Sequence, residues 1–190
     1  MNRAGRYGCP ETLQDGNVPK VSVMKMIDQI AQQPEKALWQ QLSEENRVML
    51  EVDGITDYMQ PMLAHPDPSR HTVWFFAKRS NDMFGAIQQP MHARICLMNG
   101  HENVWADIHG DIVESEDADA MARHWSVETE AWFDEGRLDP DLMLLAFHPQ
   151  EAEISAATDN PFTRGYEHMK ALFGEQDHPD IGVRKRLDLA

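Results

Sequence analysis

The chain has 190 residues, a formal charge of -15 from 17 Lys and Arg against 32 Asp and Glu, and 42% hydrophobic residues. These values describe a soluble globular chain of one domain, with or without a helical appendage, and exclude general disorder, collagen, a coiled coil and repeat arrays. No run approaches the roughly 18 to 20 apolar residues of a membrane helix, and the polar opening MNRAGRYGCPETLQDGN lacks the apolar segment of a signal peptide, so a cytoplasmic protein is expected.

Residues 1–33 read as a polar N-terminal extension with one helix, VSVMKMIDQIAQ, in which Val23, Met26, Ile27 and Ile30 follow three- and four-residue spacing. Pro34 then opens a second helix with the stripe Leu38, Trp39 and Leu42. From Arg47 the period becomes two, with Val48, Leu50 and Val52 on one face and Asp53-Gly54 as a hairpin signal. Its partner is TDYMQPMLA, where Pro61 cannot donate to a ladder and so requires an edge, a bulge or an open side. HTVWFFA, ARICLM and NVWADIHGDIVE continue the strands, and Gly110 in the last marks a bulge or a close approach. SNDMFGAIQQP predicts a short helix capped by Ser80 or Asn81. A helical insertion from about Asp117 to Phe133 carries Met121, Trp125 and Trp132, DLMLLAFHP and AEISA add one or two strands, and PFTRGYEHMKALFG predicts a final helix. The pattern predicts a mainly β chain with helical additions, a small antiparallel barrel of the α+β kind over residues 34–158, and a helix and tail at 159–190 packing on the barrel or a dimer partner.

Cys9 and Cys96 have neither CxxC spacing nor a nearby His pair, so no disulfide or zinc site is indicated. Residues 101 to 160 hold two Arg against sixteen Asp and Glu, which disfavours nucleic acid as a partner and reads as a solvated face. The terminal GVRKRLDLA carries three cations for a phosphate, for the acidic face of a second subunit, or for solvent. GxGxxG, Walker, GxSxG and HExxH motifs are absent. His101 and His109 fall near one another in a strand region without further ligands at metal spacing, which favours surface or structural roles.

The segment WFFAKRSND, residues 74 to 82, is chemically informative: an apolar strand ends in two cations and two short polar residues. Amide donors at a helix start, Ser80, Asn81 and the charge of Lys78 or Arg79 would seat a phosphate, whereas the plainer reading is helix capping with solvated cations. Trp74, Phe75 and Phe76 read most simply as strand core, and Trp105, Trp125 and Trp132 as closing the barrel or a subunit contact, while a flat cofactor could also use them.

The order of ALWQQL, RVMLEVD, QPM at 60 to 62, VWFFAKRS, VWADIHGDIVES, AWFDEGRLDPDLMLL with HPQEAEI, and the tail MKALFGEQDHPDIGVRKRLDL resembles the general-stress-protein branch of the pyridoxamine 5'-phosphate oxidase-like, FMN-binding split-barrel family. The resemblance implies a six-stranded antiparallel split barrel that forms a homodimer, with FMN in clefts made by both subunits. It places the cofactor against Gln60, Pro61, Met62, Phe76, Ala77, Lys78, Arg79, Ser80, Asn81, Met83 and Trp105. Gln60, Ala77 and Met83 depart from the Arg, Thr and Lys usual there, with Lys78 to Asn81 offering a shifted phosphate seat. The arginine and histidine elements that hold pyridoxal phosphate have no match, which disfavours that oxidase activity. The implied function is an FMN-dependent oxidoreductase on a small molecule, or a flavin carrier. The alternatives are a non-catalytic stress-related dimer that has lost flavin and a barrel holding another planar ligand such as haem or a deazaflavin.

Overall fold

Alternation of buried and exposed residues builds the sheet strand by strand in the computed structural model, which describes residues 20–55, 58–158 and 182–190. Strand β1 (Arg47–Val52) buries Val48, Leu50 and Val52, the period-two face expected of it. It pairs antiparallel with β2 (Gln60–Leu63) on one side and with β5 (Met91–Asn99) on the other. β5 pairs with β6 (Val104–Ser115), and β6 with β7 (Leu142–Ala157). The other edge of β7 is shared: its first half pairs with β4 (Thr72–Lys78) and its second with β8 (Gly182–Asp188). β4 also pairs with β3 (His65–Asp67), giving the path β2-β1-β5-β6-β7-β4-β3.

That path begins and ends on strands separated by Ala64 alone. A single stretch of chain pairs with β1 through Leu63 and with β4 from His65, so the sheet curls back on itself as an antiparallel split barrel with helical additions. Eight strands are described where six were expected, because β3 forms from His65–Asp67, just beyond the predicted strand TDYMQPMLA that holds β2, and the basic tail forms β8. β2 takes its partner on one side only, the position Pro61 requires.

Helices α1 (Lys20–Gln32) and α2 (Pro34–Glu44) pack on the barrel through Met26, Ile30, Ala37, Leu38, Trp39 and Leu42. Fully buried Gln41 is satisfied on both amide atoms. It accepts from Asn99 Nδ2 at 3.0 Å and donates to Glu102 Oε2 at 2.7 Å, tying α2 to the β5–β6 turn. The insertion forms α3 (Ala118–His124), capped by Asp117, and the single turn α4 (Val127–Glu130), capped by Ser126. Its Ala120 and Met121 cover Trp74, Leu144 and Ala146 on the outer face of the sheet.

Three expectations are corrected. Residues 80–86 form turns and a bend rather than a helix, because Asn81 Oδ1 takes the Met83 N–H and the chain doubles back until Gly85 touches the Arg79 carbonyl. The basic tail is not free: it pairs with β7 as β8, and Arg184 and Arg186 reach Glu153 at 3.4 and 3.1 Å. The acidic stretch is more than a solvated face, since Asp107, Glu114, Asp117 and Glu128 pair with Arg94, Arg79, Arg70 and Arg47. The predicted helix PFTRGYEHMKALFG and Cys9 lie outside the described residues. Among those described, no helix is long and apolar enough to cross a membrane.

The long hairpin of β6 and β7 contains a bulge. Pairing steps from His109–Glu151 to Gly110–Pro149, leaving Gln150 as the extra residue. Gly110 is the close approach, since a Cβ there would collide with the His148 carbonyl. Gly110→Ala is expected to lose about 1–3 kcal/mol by urea unfolding. Gly100→Ala, where a Cβ meets nothing within 4 Å, stays within about 0.5 kcal/mol of the parent.

Candidate functional site

Past Trp74, β4 leaves β3 behind while β2 stays with β1, so the barrel wall opens between β2 and the end of β4. A cavity of about 590 Å³ fills the opening, within the range of small-molecule sites. β2 supplies Gln60 through Leu63, β3 supplies His65, and β4 supplies Phe76, Ala77 and Lys78. The insertion closes the far side with Thr129, Trp132 and Phe133, and Phe84 rises from the turns after β4. Alternation along β4 sends Val73, Phe75 and Ala77 to the barrel core and Trp74 and Phe76 to the α3 side. Lys78, in phase with Phe76, lies with its Nζ 5.8 Å from the Phe133 ring centroid.

Of the residues singled out in sequence, Gln60, Pro61, Met62, Phe76, Ala77, Lys78, Ser80 and Asn81 come together around this cavity. Asn81 Nδ2 donates to Gln60 Oε1 at 3.3 Å across the split. Three others stand apart from it. Met83 is fully buried in the core, Arg79 turns to Glu114 on β6, and Trp105 lines a second cleft of about 530 Å³ with Met49, Cys96 and Met98. The two clefts share Arg47 and Pro61. His109 stacks on His92, with ring centroids 6.2 Å apart, and reaches Asp107 at 3.3 Å, while His101 sits in the β5–β6 turn.

His65 escaped the sequence reading because its position depends on the change of partner at Ala64, which no local pattern announces. Its ring lies nearly perpendicular to that of Phe76, with centroids 5.2 Å apart, and its Nε2 is buried with no hydrogen-bond partner. Burial, and secondarily the neighbouring His124, push its pKa down to about 4, so the ring is neutral near pH 7 and carries one donor and one acceptor. His124 stacks on Trp74 and lies 3.8 Å from Asp67. Asp67, only 7% exposed, accepts from Arg123 at 2.9 Å, and Arg70 joins it to Asp117 at the start of α3. This ionic cluster seats the insertion that forms one wall of the cavity.

The donor set divides in its fit to a flavin nucleotide. An apolar slot with Met62, Phe76 and Phe133 on its walls, amides at Gln60 and Asn81, and an orphan imidazole nitrogen beside it suits a planar ring with polar edges. The turn after β4 does not suit a phosphate. Ser80 gives its N–H and its hydroxyl to the two Asp141 oxygens, and Arg79 gives both terminal nitrogens to Glu114. The Arg79 contact holds the Glu114 carboxyl below its ordinary range, and the Ser80 hydroxyl does the same to Asp141.

The family model described as pyridoxamine 5'-phosphate oxidase like matches residues 33–180. Among solved structures, a protein from Jannaschia sp. CCS1 assigned as general stress protein 26 is 30% identical, with a TM-score of 0.65 over 79% of this chain and 94% of that one. A protein from Xanthomonas campestris pv. campestris assigned to a general stress family is 26% identical, with a TM-score of 0.61 over 67% and 91% of the two chains. The general stress FMN/FAD binding protein of Xanthomonas citri is 28% identical, with a TM-score of 0.57 over 62% and 84%. No curated protein matches the sequence.

The buried His65 makes stability depend on pH. As pH falls from 6.5 to about 4 the unfolded chain takes up a proton at this ring that the folded chain refuses, so stability is lost through that window. The urea midpoint is expected to drop between pH 7 and pH 4.5 and to drop less in His65→Gln. By NMR the His65 ring should titrate near pH 4.

Proposed function

The chain belongs to the pyridoxamine 5'-phosphate oxidase-like family, and we propose that it is a flavin-binding member, FMN being the expected flavin, that acts as a homodimer. The observation that carries this reading is the cavity in the split between β2 and β4, with an apolar slot and polar groups at its edges. The likeness to a general stress protein of X. citri that binds FMN/FAD supports it.

Met62 and Phe76 would pack on the two faces of the ring, while Phe133 and Thr129 exclude water from the α4 side. Neutral His65 offers a donor or an acceptor to a polar ring edge, and Gln60 and Asn81 can turn from each other to do the same. A bound flavin supplies electron transfer, which makes the protein an oxidoreductase on a small molecule or a carrier of the flavin. The residues around the slot bind, orient and shield. Lys78 and Arg47 are the cations that line the cavity.

The second subunit is expected on the outer face of β1, β5 and β6, where Met49, Met98 and Trp105 are exposed together beside the Arg94–Asp107 pair. Because this face and the cavity share Arg47 and Pro61, a copy seated there borders the flavin site. Trp105 reaches the cofactor region only through that contact.

Freshly purified protein should show flavin absorption, or bind added FMN saturably with quenching of flavin fluorescence and a rise in Tm. Phe76→Ala should weaken binding about fivefold, the ~1 kcal/mol of an aromatic contact. A colourless protein that ignores FMN would replace this reading with the non-catalytic dimer. Sedimentation should give a dimer, and Met98→Glu with Trp105→Glu should give a monomer that still folds.

A further inference from the structure

The turn after β4 would suit an anion, and it already holds one. Ser80 donates from its amide to Asp141 Oδ1 and from its hydroxyl to Asp141 Oδ2, both at 2.6 Å. The neighbouring Arg79 amide donates to the Asp141 carbonyl at 2.7 Å. The Asn81 N–H goes to the Lys78 carbonyl at 3.0 Å, and the Met83 N–H goes to Asn81 Oδ1 at 2.9 Å. Backbone donors at 79, 80, 81 and 83, together with the Ser80 hydroxyl, are therefore engaged within the protein. A carboxylate bridging an amide N–H and a hydroxyl uses its two oxygens as a phosphate would use two of its own.

The side-chain charges follow the same pattern. Both terminal nitrogens of Arg79 are on Glu114, and Arg47 is 3.2 Å from Glu128. Lys78, the third cation here, lies close enough to Asp141 to interact with it electrostatically. A phosphate dianion arriving at this turn would meet no cation in excess and would face the carboxylates of Asp141 and Glu114. Like charges at such range disfavour one another.

We propose that Asp141 is a built-in anion that sets which flavins the site prefers: it fills the place a phosphate would take at the β4 turn, so the protein grips a flavin by its ring and gains nothing from a terminal phosphate. This rests on the flavin reading above and adds its specificity. The ligand class is then the isoalloxazines as a whole, held with similar strength whether or not the tail carries a phosphate. Asp141 acts here as a specificity residue at the tail of the ligand, while the ring-packing residues Met62 and Phe76 act on all flavins alike.

The experiment is a pair of titrations, FMN and riboflavin, followed by quenching of flavin fluorescence, on the wild type, Asp141→Ala and Glu114→Gln. The wild type is expected to bind FMN less than tenfold more tightly than riboflavin. Asp141→Ala should tighten FMN at least tenfold, about 1.4 kcal/mol, with riboflavin changed less than threefold. Glu114→Gln removes the negative charge that neutralises the Arg79 guanidinium without touching the chain at Asp141, and it should move the FMN-to-riboflavin ratio in the same direction even if Asp141→Ala fails to fold. A wild type that prefers FMN tenfold or more overturns the inference and leaves the flavin reading standing. Variants whose FMN-to-riboflavin ratio equals that of the wild type also overturn it. Failure of the wild type and both variants to bind either flavin overturns the flavin reading, and this inference with it.

Discussion

The change of partner at Ala64 is the constraint on which the rest of the structure depends. Four residues of β2 pair with β1 and three residues of β3 pair with β4, so one short stretch of chain holds both ends of the sheet. Because β2 stays with β1 while β4 runs on past its last bond to β3, the closure is incomplete. The gap is the cavity. Prolines stand where this geometry leaves ladder positions free: Pro61 on the one-sided strand β2, and Pro149 on β7 between the segments that pair with β4 and β8. Barrel closure and ligand cavity are thus one feature.

Around that opening the protein places its charges in pairs. Arg79 with Glu114, Arg47 with Glu128 and Arg70 with Asp117 each join a cation from the first half of the chain to a carboxylate from the acidic second half. Most of these pairs are exposed, and each contributes little to stability by itself. Their effect on the site is larger, because a cation already satisfied attracts a ligand anion weakly. Asp67 differs in being buried. It joins β3 to α3 through Arg123 and so couples the sheet wall of the cavity to the helical wall.

The aromatic residues divide their work by the pleat of β4. Phe75 belongs to the barrel core with Phe147 and Leu50, whereas Trp74 and Phe76 face the insertion, and Phe76 alone of the three borders the cavity. His65 and His124 lie within this outer aromatic layer, with ring centroids 6.0 Å apart. Two imidazoles at that distance resist being charged together. The layer is apolar enough to receive a planar ring, and its His65 is a titratable group that lines the cavity.

Much of the fold was legible in the sequence. Period-two runs located β1, β4, β5 and β6, Pro61 marked an edge, Gly110 marked a close approach, and Asp117 marked the start of a helix, because each is a local preference of backbone or side chain. The shared landmarks identified the family, and eight of the eleven residues named from the resemblance line the cavity. What local pattern could not supply was the meeting of residues distant in the chain. Ser80 and Asn81 look like the start of a helix and an anion seat until Asp141, 61 positions from Ser80, accepts the Ser80 amide and hydroxyl hydrogens. The basic tail looks free until β7 offers it an edge beside Glu153. Sequence by itself determined which segments alternate, where they turn and which family they compose. The tertiary structure decided which carboxylate meets which cation and which rings face the cavity, because those contacts follow from strand register and barrel closure, and both are properties of the whole sheet.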